Sequence, residues 1–136
     1  MNAQTRKLVS TRANGRCEYC RLPTWADPYE AFHVEHIVAK QHGGSDDLDN
    51  LAWSCSRCNR RKGTNLASAD AEIGAAVDLF HPRRQSWNDH FALRHGHIRG
   101  LTPAGRATVR LLNFNASHRV ELRREMVEDG WLIWEP

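Results

Sequence analysis

The chain has 136 residues, of which 40 % are hydrophobic, and 19 Lys+Arg against 16 Asp+Glu leave a net charge of +3. That length bounds it to one small domain, with room for a lobe and with a core modest enough to depend on a staple such as a metal. The charge excess permits a polyanionic partner without demanding one, and no stretch has the apolar run of a signal peptide or a membrane span, so the expectation is a cytoplasmic protein without a membrane role.

Residues 4 to 13 can form a short helix with Leu8, Val9 and Ala13 on one side, ended by Asn14-Gly15. Cys17 to Cys20 follows as a knuckle, Arg21-Leu22-Pro23 turns away from it, and residues 24 to 31 are irregular. Ala31 to Val38 has strand character, and His42-Gly43-Gly44-Ser45-Asp46-Asp47 is loop composition. Leu48 to Trp53 reads as a second extended piece, and Ser54 to Lys62 as a helix stopped by Gly63.

Ser68 to Leu79 reads as an amphipathic helix, with Ile73, Ala76, Val77 and then Phe80 on its apolar side, interrupted by Pro82. Phe91, Leu93 and Ile98 alternate around Arg94-His95-Gly96, which predicts a hairpin. Thr102-Pro103 opens a helix in the order of cap residue and then Pro. A last helix over roughly 116 to 129 ends before Gly130 and the apolar tail Trp131-Leu132-Ile133-Trp134.

Four cysteines occur, as the pairs Cys17/Cys20 and Cys55/Cys58. Two thiolates two residues apart can both reach one tetrahedral Zn²⁺, and two such pairs close an S₄ site with no open position. Disulfides are the rival reading, and a redox CxxC a weaker one, because neither pair opens a helix after a hydrophobic strand. A closed zinc site organises structure and does no chemistry of its own.

Chemistry should therefore lie in what the zinc clamps together. Glu35-His36 sits on the first strand and Asn59 on the helix after the second cysteine pair. A carboxylate and an amide oxygen are hard ligands suited to Mg²⁺ or Mn²⁺. An imidazole beside them, off the metal, can take a proton from water near neutral pH. His33 shares the face of Glu35 and could contact phosphate or pack as an ordinary histidine. His42 lies beside two loop glycines, where a phosphate contact and a solvated residue are both open. Arg57, Arg60, Arg61 and Lys62 form either a phosphate-binding face or a solvated one.

Val34-Glu35-His36-Ile37, Gly43-Gly44, Asp49-Asn50-Leu51 and Cys55-Ser56-Arg57-Cys58-Asn59 with Lys62-Gly63 together resemble the core of the HNH endonuclease family, in its subtype with two CxxC pairs. The resemblance covers about residues 12 to 65. It implies an α+β fold, a small zinc-stabilised ββα-metal core (1–66), with a mixed helix/hairpin C-terminal extension packing on it (67–136). By the same resemblance His36 is the general base that activates water. Glu35 and Asn59 hold the catalytic Mg²⁺ or Mn²⁺, and Asn50 fixes the loop between the strands. Cys17, Cys20, Cys55 and Cys58 hold structural zinc. Arg57, Arg60, Arg61, Lys62 and His33 are candidates for contact with DNA, bound through its backbone with weak sequence specificity. Many relatives carry Asp where this chain has Glu35, and His where it has Asn59.

The C-terminal half mixes aromatic and basic groups, among them Arg83, Arg84, Trp87, His90, Arg94, Arg99 and Arg106. That mixture suits either a nucleic-acid cleft or a core with arginines lying over it. The stretch from Phe80 to Thr108 also resembles an extension found in one HNH subgroup. The leading expectation is a divalent-metal-dependent DNA endonuclease. The alternative is a catalytically inactive, zinc-stabilised nucleic-acid-binding module. A third is a zinc-clamped protein-interaction module using the tail at 131 to 134.

Overall fold

A computed structural model describes residues 2–26 and 28–130. They group into two compact units, one running up to Asn65 and including His81–Arg84, the other Leu66–Phe80 with the described residues from Gln85 onward. Among the described residues no helix is long and apolar enough to cross a membrane. The expected apolar tail at 131 to 134 lies outside the described residues.

The first unit is a helix, a two-stranded antiparallel sheet and a second helix. Helix α1 (Ala3–Arg12) is capped by Asn2, whose side chain accepts from Thr5 N at 2.8 Å. Strands β1 (Phe32–His36) and β2 (Leu51–Cys55) pair in the register Phe32↔Cys55, Glu35↔Ala52 and His36↔Leu51. Helix α2 (Ser56–Lys62) leaves β2 without a linker, because Cys55 is both the last strand residue and the N-cap. The expected second extended piece begins later than its composition suggests: Leu48–Asn50 is a 3₁₀ turn.

Phe32 and Trp53 stack with ring centroids 5.6 Å apart, and the Arg6 guanidinium lies 4.7 Å over the Trp53 ring while donating to the Phe32 carbonyl at 2.9 Å. Arg12 donates to the Leu48 and Leu51 carbonyls at 2.8 and 2.6 Å. Two arginines on α1 thus satisfy backbone groups at both ends of the sheet.

Between the strands the chain makes a loop closed by Asn50. Its Oδ1 accepts from Val38 N at 2.9 Å, and its Nδ2 donates to the Val38 and Ser45 carbonyls at 3.0 and 2.8 Å. Gly44 is forced by this closure, since a Cβ there would lie 1.7 Å from the Val38 oxygen and 2.9 Å from Asn50 Nδ2.

In the second unit, the helix expected over Ser68 to Leu79 is instead a hairpin of β3 (Ala67–Asp70) and β4 (Ala75–Asp78). Alanine-rich composition favours helix locally, and pairing overrides it. The turn is fixed by Gly74 at φ 69°, whose N–H reaches the Asp70 carbonyl at 2.8 Å, and by Asp70 Oδ1 accepting from Glu72 N at 3.3 Å. Asp70 is itself held by two bonds from Arg106, at 3.0 and 2.7 Å.

The hairpin expected at 91 to 100 is present as β5 (Phe91–Arg94) and β6 (His97–Gly100), after the short helix α3 (Trp87–His90). Helix α4 (Pro103–Leu111) starts with Thr102 accepting from Gly105 N at 3.0 Å, and α5 (Ser117–Glu128) follows the expected bounds closely. Phe80, Trp87, Phe91 and Phe114 are buried against one another, with Phe91 centroids 5.1, 5.0 and 5.6 Å from the other three. Trp87 and Phe91 are therefore core, which takes them out of any stacking cleft.

Replacing Gly44 by Ala should lower stability by about 1–3 kcal/mol, because the methyl group has no space to enter. Urea unfolding of the variant against the parent protein measures it.

Candidate active site and cysteine cluster

All four cysteines are buried, and their sulfurs lie within 4.8 Å of one another. Cys20 Sγ and Cys55 Sγ are 3.7 Å apart. A tetrahedral ion with bonds of about 2.3 Å sets its ligand sulfurs about 3.8 Å apart, so the donor set fits Zn²⁺ in both chemistry and spacing. Each knuckle has its own N–H···S bond, from Cys20 N to Cys17 Sγ and from Cys58 N to Cys55 Sγ, both 3.4 Å. Burial first, and then the neighbouring cysteines, push the Cys17 and Cys58 thiols well up. A bound cation reverses that sign by favouring the thiolates.

The two residues inside the first knuckle each dock on one strand. Glu18 N donates to the Trp53 carbonyl at 2.8 Å, and Glu18 Oε2 accepts from Trp53 N at 2.7 Å. The Glu18 carboxylate also pairs with Arg83, whose guanidinium is brought down to about 10 by burial and still carries its charge near neutral pH. Tyr19 is buried and its hydroxyl donates to Glu35 Oε1 on β1.

Glu35 is only 4 % exposed, and its second oxygen is 3.2 Å from Lys62 Nζ. Lys62, 3 % exposed, also donates to the Ile37 carbonyl at 2.8 Å. Burial raises the Glu35 carboxyl above the ordinary carboxylate range, while the Lys62 charge and the Tyr19 hydroxyl pull it back down. Lys62 does not join the exposed basic face, because its ammonium is spent inside the fold. Tyr19 and Lys62 occupy the two Glu35 oxygens, and a dication there would meet an ammonium.

His36 remains partly exposed, and its Nε2 lies 2.7 Å from Asp46 Oδ1. Lys40 Nζ is 3.1 Å from the other Asp46 oxygen. The bonds from His36 and then Lys40 hold the Asp46 carboxyl below its usual range. An ionised Asp46 places the ring proton on Nε2 and leaves the Nδ1 lone pair as the acceptor. Asp46 was hidden in the sequence, where it read as one more polar loop residue.

Asn59 is half-buried, and its side chain makes no hydrogen bond among the described residues. It is the open oxygen donor of the site. His33 faces Ser54 across the sheet and is half-buried. Arg60 and Arg61 are exposed and Arg57 half-buried, with Arg60 bonded to Ser56 Oγ at 2.9 Å and 3.9 Å from Glu30.

Residues 17–65 match the family model of the HNH endonuclease. That stretch holds both knuckles, β1, the loop, β2 and α2, so the chain carries an HNH endonuclease domain there, and nuclease-type activity is what the family implies. A curated relative, the Septu protein PtuB of Bacillus thuringiensis, is 26 % identical over 117 residues, covering 85 % of this chain and 42 % of that protein. The chain thus spans less than half the length of that relative. No solved structure matches it.

Zinc should co-purify at one ion per chain, read by a metallochromic dye after thiol oxidation. Cys17→Ser or Cys58→Ser should lose the ion and unfold the first unit, since such sites contribute about 10–16 kcal/mol in small peptides. A chain that stays folded after chelation would overturn the structural reading of the cluster.

Proposed function

We propose that the protein is an endonuclease that hydrolyses phosphodiester bonds in DNA, with His36 as general base. The observation that carries this reading is the His36–Asp46 pair, within the stretch that matches the HNH endonuclease model. Asp46 holds the ring through Nε2–H, and Nδ1 takes a proton from water as that water attacks phosphorus. The new P–O bond forms as the bond to the 3′ oxygen breaks, and the leaving oxygen takes its proton from solvent. A 5′-phosphate and a 3′-hydroxyl result.

Dependence on Mg²⁺ or Mn²⁺ is carried over from the family, with the Asn59 amide oxygen as the donor left open for it. No step is assigned to Glu35. Arg57, Arg60 and Arg61, on the helix that carries Asn59, would meet backbone phosphates and so give weak sequence specificity. The four cysteines would hold zinc in a reducing compartment, for which we take the cytoplasm.

A second reading, a nucleic-acid-binding module without activity, is favoured by one observation: the Glu35 carboxylate is engaged by Lys62 and Tyr19. Plasmid cleavage in Mg²⁺ or Mn²⁺ separates the two. His36→Ala should slow cutting by about 10²–10⁴-fold with DNA affinity kept, and Asp46→Asn by about 10–100-fold. Equal cutting by His36→Ala and the parent would end the catalytic assignment, and binding without cutting by either would establish the second reading.

A further inference from the structure

Lys62 closes α2, yet its ammonium is turned onto β1 and the residue just beyond that strand. Its two bonds go to Glu35 Oε2 and to the Ile37 carbonyl, at 3.2 and 2.8 Å. These partners are the residues immediately before and after His36. One buried cation therefore pins the chain on both sides of the residue that bears the imidazole. The other Glu35 oxygen takes the hydroxyl of Tyr19, which lies between the cysteines of the first knuckle. Lys62 itself lies one helical turn beyond Cys58.

We infer that Lys62 is the positioning residue for His36, and that Glu35 is its anchor and not a ligand of the catalytic ion. The inference rests on His36 as the base. The Asp46 contact cannot fix the ring unaided, because Asp46 is an exposed loop residue, with 58 % of its side chain accessible. The backbone under His36 must be held from below, and Lys62 supplies that hold with a cation that is only 3 % exposed. Tyr19 and Glu35 extend the hold to the cysteine cluster, so the two knuckles and the base share one rigid frame. A displacement of about 1 Å at a catalytic group costs about a hundredfold in rate.

The test uses the full chain with Lys62→Met, Lys62→Arg, Glu35→Gln and the double variant Glu35→Gln/Lys62→Met. The readouts are the thermal midpoint, DNA affinity without divalent ion, single-turnover cleavage in Mn²⁺, and the ¹⁵N shifts of the His36 ring. Lys62→Met should lose about a hundredfold in rate with DNA affinity unchanged. The double variant should regain the thermal midpoint, because no charge is left buried alone, while its rate stays low and its His36 shifts stay displaced. Lys62→Arg, able to reach both partners, should recover most of the rate. If Lys62→Met does not fold, the double variant and Lys62→Arg decide the matter.

Recovery of rate together with stability in the double variant would reduce Lys62 to a counter-charge and overturn the inference. So would a rise of about tenfold or more in the Mn²⁺ needed by Glu35→Gln, which would restore Glu35 as a ligand. If the parent protein cuts no DNA, the nuclease reading fails by itself, and the His36 shifts still decide whether Lys62 positions the ring.

Discussion

Four sulfurs drawn within 4.8 Å of one another tie together two stretches of chain that are 35 residues apart at Cys20 and Cys55. Nearly everything in the first unit takes its position from that closure. Cys55 ends β2, caps α2 and contributes a sulfur at once, so the direction of α2 is set by the cluster and not by a flexible joint. Asn59 and Lys62 inherit their places from that direction. The first knuckle is tied with equal economy, Glu18 reaching β2 and Tyr19 reaching β1. A chain of this size has little core to spend on such alignment, and a metal site with a binding energy of about 10–16 kcal/mol is a strong substitute.

The polar interior of this unit follows a different logic from its stability. Glu18–Arg83 and Glu35–Lys62 both place opposite charges away from water. Desolvating two ions commonly consumes what their attraction returns, and apolar pairs of the same volume often stabilise a fold as well or better. What an ion pair supplies and a pair of leucines does not is direction. The Lys62 ammonium selects one carboxylate oxygen and one carbonyl, and Glu18 matches the amide and carbonyl edge of Trp53. Removing one partner would leave a lone buried charge at a cost of about 3–5 kcal/mol. The arrangement thus penalises every register of β1, β2 and the knuckle but one.

The spacing of cysteines, the loop glycines and the order strand, loop, strand, helix were legible from residue types alone, because each reflects a local rule: ligand reach, turn chemistry, alternation. The Thr102-Pro103 helix start and the hairpin at Arg94-His95-Gly96 were legible for the same reason. Asn50 was readable as a loop residue from its turn composition, and it makes three hydrogen bonds to Val38 and Ser45. The hairpin at Ala67–Asp78 was not legible, since alanine propensity favours helix and the partner that decides, Arg106 on Asp70, lies 36 residues on. Lys62 turns inward although a basic residue at the end of an arginine-rich helix has every local reason to face water. Only Glu35 and the Ile37 carbonyl, more than twenty residues earlier, explain why it turns inward.

The loop between the strands links these structural facts to His36, the proposed base. Asp46 reaches His36 from a segment with almost no apolar burial of its own, and that segment keeps its shape through Asn50 and the space left by Gly44. Asn50 donates to the carbonyl of Ser45, the residue directly before Asp46. The same asparagine grips Val38, two residues after His36, so it fixes both ends of the path from the imidazole to its carboxylate. A residue whose bonds are all to backbone therefore acts on the His36–Asp46 pair at one remove. Loosening it would free Asp46 to solvent and leave the imidazole without the partner that fixes its tautomer. Lys62 binds the chain on both sides of His36 from within the fold and Asn50 holds the residue before Asp46 from the loop, so the nitrogen proposed to accept the proton is defined only when both are in place.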